Sequence, residues 1–128
     1  MDIGLKKNLA YGYDEAMTRV PEALKAEGFG VLTQIDMKET LKNKLGVDFR
    51  RYSILGACNP PFAHKALSAH LGFGLLMPCN VTIHEGDDGK AVLQVVDPLQ
   101  TVAPQVSPQL AALAGEVREK LVRVIEKL

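Results

Sequence analysis

The sequence predicts an α+β domain: one antiparallel-rich sheet of about five strands, packed with helices, with an amphipathic helix at its C-terminal end. Three observations point to this class. Five apolar segments have strand length and are bounded by glycine, proline or aspartate. The helical stretches between them do not alternate strictly with the strands, which disfavours a doubly wound parallel sheet. The 128 residues, 47% hydrophobic and 23% charged, have the make-up of one ordinary globular domain able to bury a core. A single domain over 1–128 is expected, with its core over about 3–103 and the last helix over about 107–128.

Each element has its own signal. Ile3 to Leu9 reads as a first strand, with Ile3, Leu5 and Leu9 apolar and the lysines exposed. Asp14 is the expected N-cap of a helix to about Glu27, where Ala16, Met17, Val20, Ala23 and Leu24 keep helical spacing. Pro21 lacks a backbone donor and crowds the preceding turn, so a kink or a break is expected there. Gly28 ends this helix, and Phe29 to Ile35 is the second strand. Met37, Leu41 and Leu45 define a short helix closed by Gly46. Tyr52 to Cys58 is the third strand, stopped by Pro60-Pro61.

Pro61 to Leu71 is expected to be a helix with Phe62, Ala63, Ala66, Leu67, His70 and Leu71 on its inner half. His64, Lys65 and Ser68 fall outside that stripe. Gly72 is expected to end it. Cys79 to Glu85 and Lys90 to Val96 form a hairpin around Gly86-Asp87-Asp88-Gly89, and Asp97-Pro98 closes the last strand. Ser107 caps the final helix, with Pro108 in its first position. Leu110, Leu113, Val117, Leu121, Val124 and Leu128 make its apolar stripe, which suits packing onto the sheet better than a partner helix. Glu116 with Lys120, and Glu119 with Arg123, are spaced to pair.

Composition narrows the function classes. The formal net charge is zero, so no overall field draws the protein to nucleic acid or to an anionic membrane. The most basic stretch, Lys38 to Arg51, has no aromatic stacking series and reads as a solvated face. No apolar run has the length of a bilayer span. Met1 to Lys7 lacks the apolar core of a secretory signal. A cytoplasmic location with reduced thiols is therefore expected.

Chemistry concentrates at two Cys-Asn pairs. Cys58-Asn59-Pro60-Pro61 ends a strand and starts a helix, and Pro78-Cys79-Asn80 begins another strand. They use both cysteines and half of the four asparagines. Asn59 is a suitable N-cap, and a thiol beside a helix start is shifted toward thiolate. His64 lies near the same helix start. The competing view is a small buried cysteine at a strand end, the commoner fate of a free cysteine. Cys79 shares one strand face with Val81 and Ile83, which makes it most simply a core residue; Asn80, Thr82 and His84 take the other face. His70 is expected to be a hydrogen-bonded core histidine. A site shared by both cysteines requires the two strand ends to be neighbours.

Several chemistries lack their residues. There is no Cys-x-x-Cys pair, no histidine pair four apart and no calcium-loop spacing. Neither a nucleophile elbow nor a carboxylate pair stands out, so no catalytic residue is assigned. Gly28-Phe29-Gly30-Val31-Leu32 is echoed by Gly72-Phe73-Gly74-Leu75-Leu76. Each follows a helix, the reverse of a phosphate loop, so a left-handed glycine ending each helix is expected instead.

Four segments in order, Glu27-Gly28-Phe29-Gly30-Val31-Leu32 with Ile35-Asp36, Leu55-Gly56-Ala57-Cys58-Asn59-Pro60-Pro61, Leu76-Met77-Pro78-Cys79-Asn80-Val81, and Asp97-Pro98, resemble the bacterial and archaeal family called domain of unknown function 302. The resemblance runs from about residue 10 to the final helix and is to the subset with both cysteines. It implies a compact α+β domain and self-association, a dimer being favoured. It implies no established activity and transfers no catalytic residue.

Three functions are compatible with these residues. The favoured one is a non-enzymatic module that binds a small molecule or a metal at Cys58, Asn59, His64, Cys79 and Asn80, with the cofactor or metal unspecified. The others are a small thiol or redox enzyme with Cys58 as nucleophile, and a structural or interaction protein whose cysteines only pack. Nucleic-acid and membrane partners are not expected.

Overall fold

The computed structural model describes residues 3–128. Met1 and Asp2, which entered the signal-peptide reading, lie outside the described residues. The strands are β1 (Gly4–Asn8), β2 (Gly30–Asp36), β3 (Tyr52–Cys58), β4 (Cys79–Glu85) and β5 (Ala91–Val96). The helices are α1 (Tyr13–Ala26), α2 (Met37–Leu45), α3 (Pro60–Ala69), the one-turn α4 (Ala103–Val106) and α5 (Pro108–Glu126). The sheet order is β1-β5-β4-β3-β2, with every neighbouring pair antiparallel. The α+β class and the five strands are those the sequence predicts.

Strand alternation places the core. Leu55, Val81 and Val95 lie in register across β3, β4 and β5, and all three are buried. Ala57, Ile83 and Leu93 extend the same face. Val20 and Leu24 from α1, with Leu121 and Val124 from α5, join this cluster. Burying each such side chain fully contributes about 1.5–3 kcal/mol. The amphipathic stripe of α5 thus packs within its own chain. On the opposite face the row Ile54, Thr82, Gln94 is only half-buried.

Local chemistry sets the helix ends. Beyond α1, the Gly28 N–H donates to Lys25 O (3.0 Å) and the Phe29 N–H to Leu24 O (2.9 Å). Gly28 adopts φ +87°, the left-handed turn that glycine makes without strain. Asp36 caps α2 by accepting from the Glu39 N–H, and left-handed Gly46 ends it. Ser107 caps α5 by accepting from the Leu110 N–H at 3.1 Å.

The structure departs from the sequence reading at several points. Gly12, not Asp14, stands in the cap position of α1. Asp14 sits in the first turn, where Arg51 holds its carboxylate in a two-pronged ion pair. That charged partner outweighs a backbone N–H, and the Tyr13 and Ser53 hydroxyls are hydrogen-bonded beside it. Helix α1 runs unbroken through Pro21, anchored by buried Val20 and Leu24. The missing donor costs one bond, and packing on both sides holds the helix together.

The second glycine echo does not repeat the first. Helix α3 stops at Ala69, and His70 turns to extended backbone with φ −158°. His70 is exposed, and its Nδ1 accepts from the Gly72 N–H at 3.1 Å. It caps a 3-10 turn over Leu71–Leu76 in place of the expected core role. Gly72 is not left-handed, since positive φ is confined to Gly28, Gly46 and Gly89 among the described residues. On α5 the expected pairs within the helix do not form. Arg123 and Lys127 instead reach Glu27 at 2.8 and 3.0 Å, because its two carboxylate oxygens take one cation each.

Candidate functional site

The register Ala57↔Cys79 makes the end of β3 and the start of β4 neighbours. Both cysteines are free, and both line one cleft beside these strand ends. Helix α3 contributes Phe62, Ala63 and Ala66, and α5 contributes Leu110, Leu113 and Val117. The 3-10 turn adds Phe73 and Leu76, and the segment after β5 adds Pro98 and Thr101. The cavity measures about 80 Å³, and the whole cleft, with the open space at its mouth, about 670 Å³.

The walls are held by specific bonds. Asn59 is buried at the entrance to α3, yet its side chain makes no cap. Its Nδ2 donates to Glu27 O (3.3 Å), tying the start of α3 to the end of α1. Asp97 is buried and accepts from the Leu99 N–H (3.0 Å) and from Arg118 Nε (3.1 and 3.2 Å). Thr101 Oγ1 donates to Pro98 O (2.8 Å) and accepts from the Ala103 N–H (3.2 Å). These contacts fix the segment after β5 against α5.

The thiols have been pushed away from the reactive form. Burial raises the Cys58 pKa above its ordinary value of 9.0. Burial, with Cys58 as a second cause, pushes Cys79 up to about 11. The expected activation of Cys58 by the start of α3 is thereby corrected. Pro60 and Pro61 occupy the first two helical positions and have no N–H to present, so the positive end of the helix is weak and desolvation wins.

The five residues singled out in the sequence divide into two groups. Cys58, Asn59 and Cys79 line the cleft. His64 is exposed on α3, and Asn80 is exposed on β4, one strand step from Cys79 and so on the opposite face. Neither lines the cleft. The sequence reading missed its aromatic lining: Phe29, Phe62 and Phe73. A signal was present, because Phe29 and Phe73 lie between the paired glycines of the two echoes. Among the described residues, no group of three or more His, Cys, Asp or Glu is placed to hold a metal ion.

A five-stranded antiparallel sheet, a helical layer on one face and an apolar cleft at the strand ends define a small α+β module. The chain belongs to the family described as Domain of unknown function DUF302, whose model matches residues 5–128. It is similar to the crystal structure of an uncharacterized conserved DUF302 protein from Bacillus stearothermophilus. That likeness has 29% identity, a TM-score of 0.88 and 98% coverage of each chain. Comparison with curated proteins finds no match. No helix among the described residues is long and apolar enough to cross a membrane.

Proposed function

We propose that the protein is a small-ligand binding module whose site is the cleft beside Cys58, Asn59 and Cys79. The observation that carries this reading is the lining. Apolar side chains far apart in sequence, from Phe29 to Val117, converge on unfilled space, the usual character of a small-molecule site. Two free thiols suit a reducing compartment such as the cytoplasm. The thiol-enzyme alternative requires a ready thiolate, which burial opposes. A metal-only site is less well supported, since its thiols would have to lose protons in an apolar setting. A panel of small ligands followed by thermal melting and native mass spectrometry tests the proposal. Saturable stabilisation by a ligand that shifts cleft resonances is expected; no shift in melting and no bound mass across the panel refutes it.

Self-association is a second part of the proposal, and the sheet edges favour it. Edge strand β2 leaves Leu32 67% and Ile35 46% exposed and carries no charge before Asp36. The other edge, β1, carries Lys6 and Lys7, a common guard against pairing. We infer a dimer joined through β2. Light scattering on the native protein and on Leu32→Lys should give a dimer and a monomer, respectively. A native protein that is monomeric at its highest soluble concentration refutes it.

A further inference from the structure

We propose that the cleft takes an aliphatic chain ending in a carboxylate, with the chain inside and the carboxylate held at the mouth by Lys65 and Lys120. The proposal rests on the cleft being a ligand site and goes on to say what kind of ligand fits.

The interior selects against charge. Among the described residues, no Asp, Glu, Lys, Arg or His lines the cleft. Its few polar groups are largely committed. Asn59 Nδ2 is spent on Glu27 O, and Thr101 Oγ1 on Pro98 O and the Ala103 N–H. A carboxylate brought inside would trade its hydration for few partners, chiefly the two thiols and the rest of the Asn59 amide, at a cost of several kcal/mol by transfer scales of about 2–7. The enclosed part of about 80 Å³ takes only a few methylenes, and the rest of a ligand would lie along the open cleft of about 670 Å³. A slender chain fits such a space better than a ring.

Positive charge gathers at one wall. Phe62 lines the cleft, and two ammonium groups approach its ring: Lys65 Nζ at 5.7 Å and Lys120 Nζ at 5.9 Å from the centroid. They come from different helices, α3 and α5. Among the described residues neither forms an ion pair, and Glu116, one turn before Lys120, does not reach it. Both ammonium groups lie near the Phe62 ring, so an anion bound beside that ring is attracted by both. A carboxylate matches the site better than a phosphate. Lysine attracts either anion as a point charge, but a phosphate site also draws on helix N–H groups, and Pro60 and Pro61 remove the first of these from α3.

Calorimetric titration with octanoate and with octanol tests the proposal on the native protein and on a Lys65→Gln, Lys120→Gln double variant. Lys65 is exposed, Lys120 is half-buried, and neither belongs to the core cluster, so the variant should fold. Native protein should bind octanoate, with resonance shifts at Phe62, Leu110 and Val117. The double variant should lose about tenfold in octanoate affinity, as expected for two partly exposed charge pairs, and bind octanol unchanged. Equal octanoate affinity in the two proteins overturns the proposal. So does a native protein that ignores octanoate but binds another panel ligand in the cleft, which would leave the module reading standing. Failure of every ligand overturns both.

Discussion

Alkylating the protein with iodoacetamide across a pH series should modify Cys79 later than an unburied thiol up to about pH 9, and the gap should close as pH approaches 11. The size of the effect follows from its burial. An ordinary value of 9.0 leaves about one thiol in ten ionised at pH 8, and a value of about 11 leaves about one in a thousand. That is roughly a hundredfold loss of thiolate. A more basic thiolate attacks faster, and a Brønsted slope near 0.4–0.5 returns about a factor of eight. The net expectation is reaction roughly tenfold slower than a small peptide thiol, before any limit on access. Rates read by intact mass and peptide mapping give both profiles. Cys58→Ser should bring Cys79 only slightly toward the ordinary range, because burial is the larger cause and Cys58 the lesser. An inflection for Cys79 at or below pH 9, or reaction faster than the peptide near pH 8, would refute the reasoning. The same burial has a stability sign. Its contribution is complete below pH 9 and is lost as pH rises toward 11, where the folded thiol ionises.

Other expectations follow from the packing. Leu121→Ala empties a fully buried site in the core and should cost about 2–5 kcal/mol, lowering Tm by on the order of ten degrees in a calorimetric scan. Gly28→Ala forces a side chain into left-handed backbone and brings its Cβ to 3.1 Å from Asn59 Nδ2; a denaturant titration should show a loss of about 1–2 kcal/mol. Arg123 and, after it, Lys127 hold the Glu27 carboxyl below its ordinary 4.5, so its stabilisation is present above that pH and is lost as acid protonates it. Arg123→Ala should flatten the acid limb of a melting-temperature profile. Deleting residues 108–128 removes Leu121 and Val124 from the core and should abolish cooperative unfolding, as seen by circular dichroism.

Much of the fold was legible because its signals are local. The boundaries Met37–Leu45, Tyr52–Cys58 and Cys79–Glu85 coincide with those read from spacing and breakers. Ser107-Pro108 and Gly28 mark helix ends through chemistry confined to a few residues. What was misread depends on distant partners. Asp14 leaves its expected cap for Arg51, 37 residues away, and Arg123 leaves Glu119 for Glu27, 96 residues away. His70 kept the period of the α3 stripe but lies beyond the last helical turn, where periodicity carries no information. The cleft was half visible. Cysteine and asparagine drew the eye as reactive types, whereas most of its wall is phenylalanine, leucine and alanine, which resemble core until the fold leaves space beside them.

The unequal edges of the sheet bear on how far assembly can go. A copy that pairs through β2 across a twofold axis consumes the bare edge of both partners. What remains facing outward on each side is β1 with its lysines, which resists a further strand. In the proposed dimer, growth would therefore end at two chains rather than run on as a fibre. The restraint depends on few charges, because Lys7 already turns its ammonium to Ile125 O at 3.1 Å. Lys6 is thus left as the main outward guard against continuous stacking of sheets end to end.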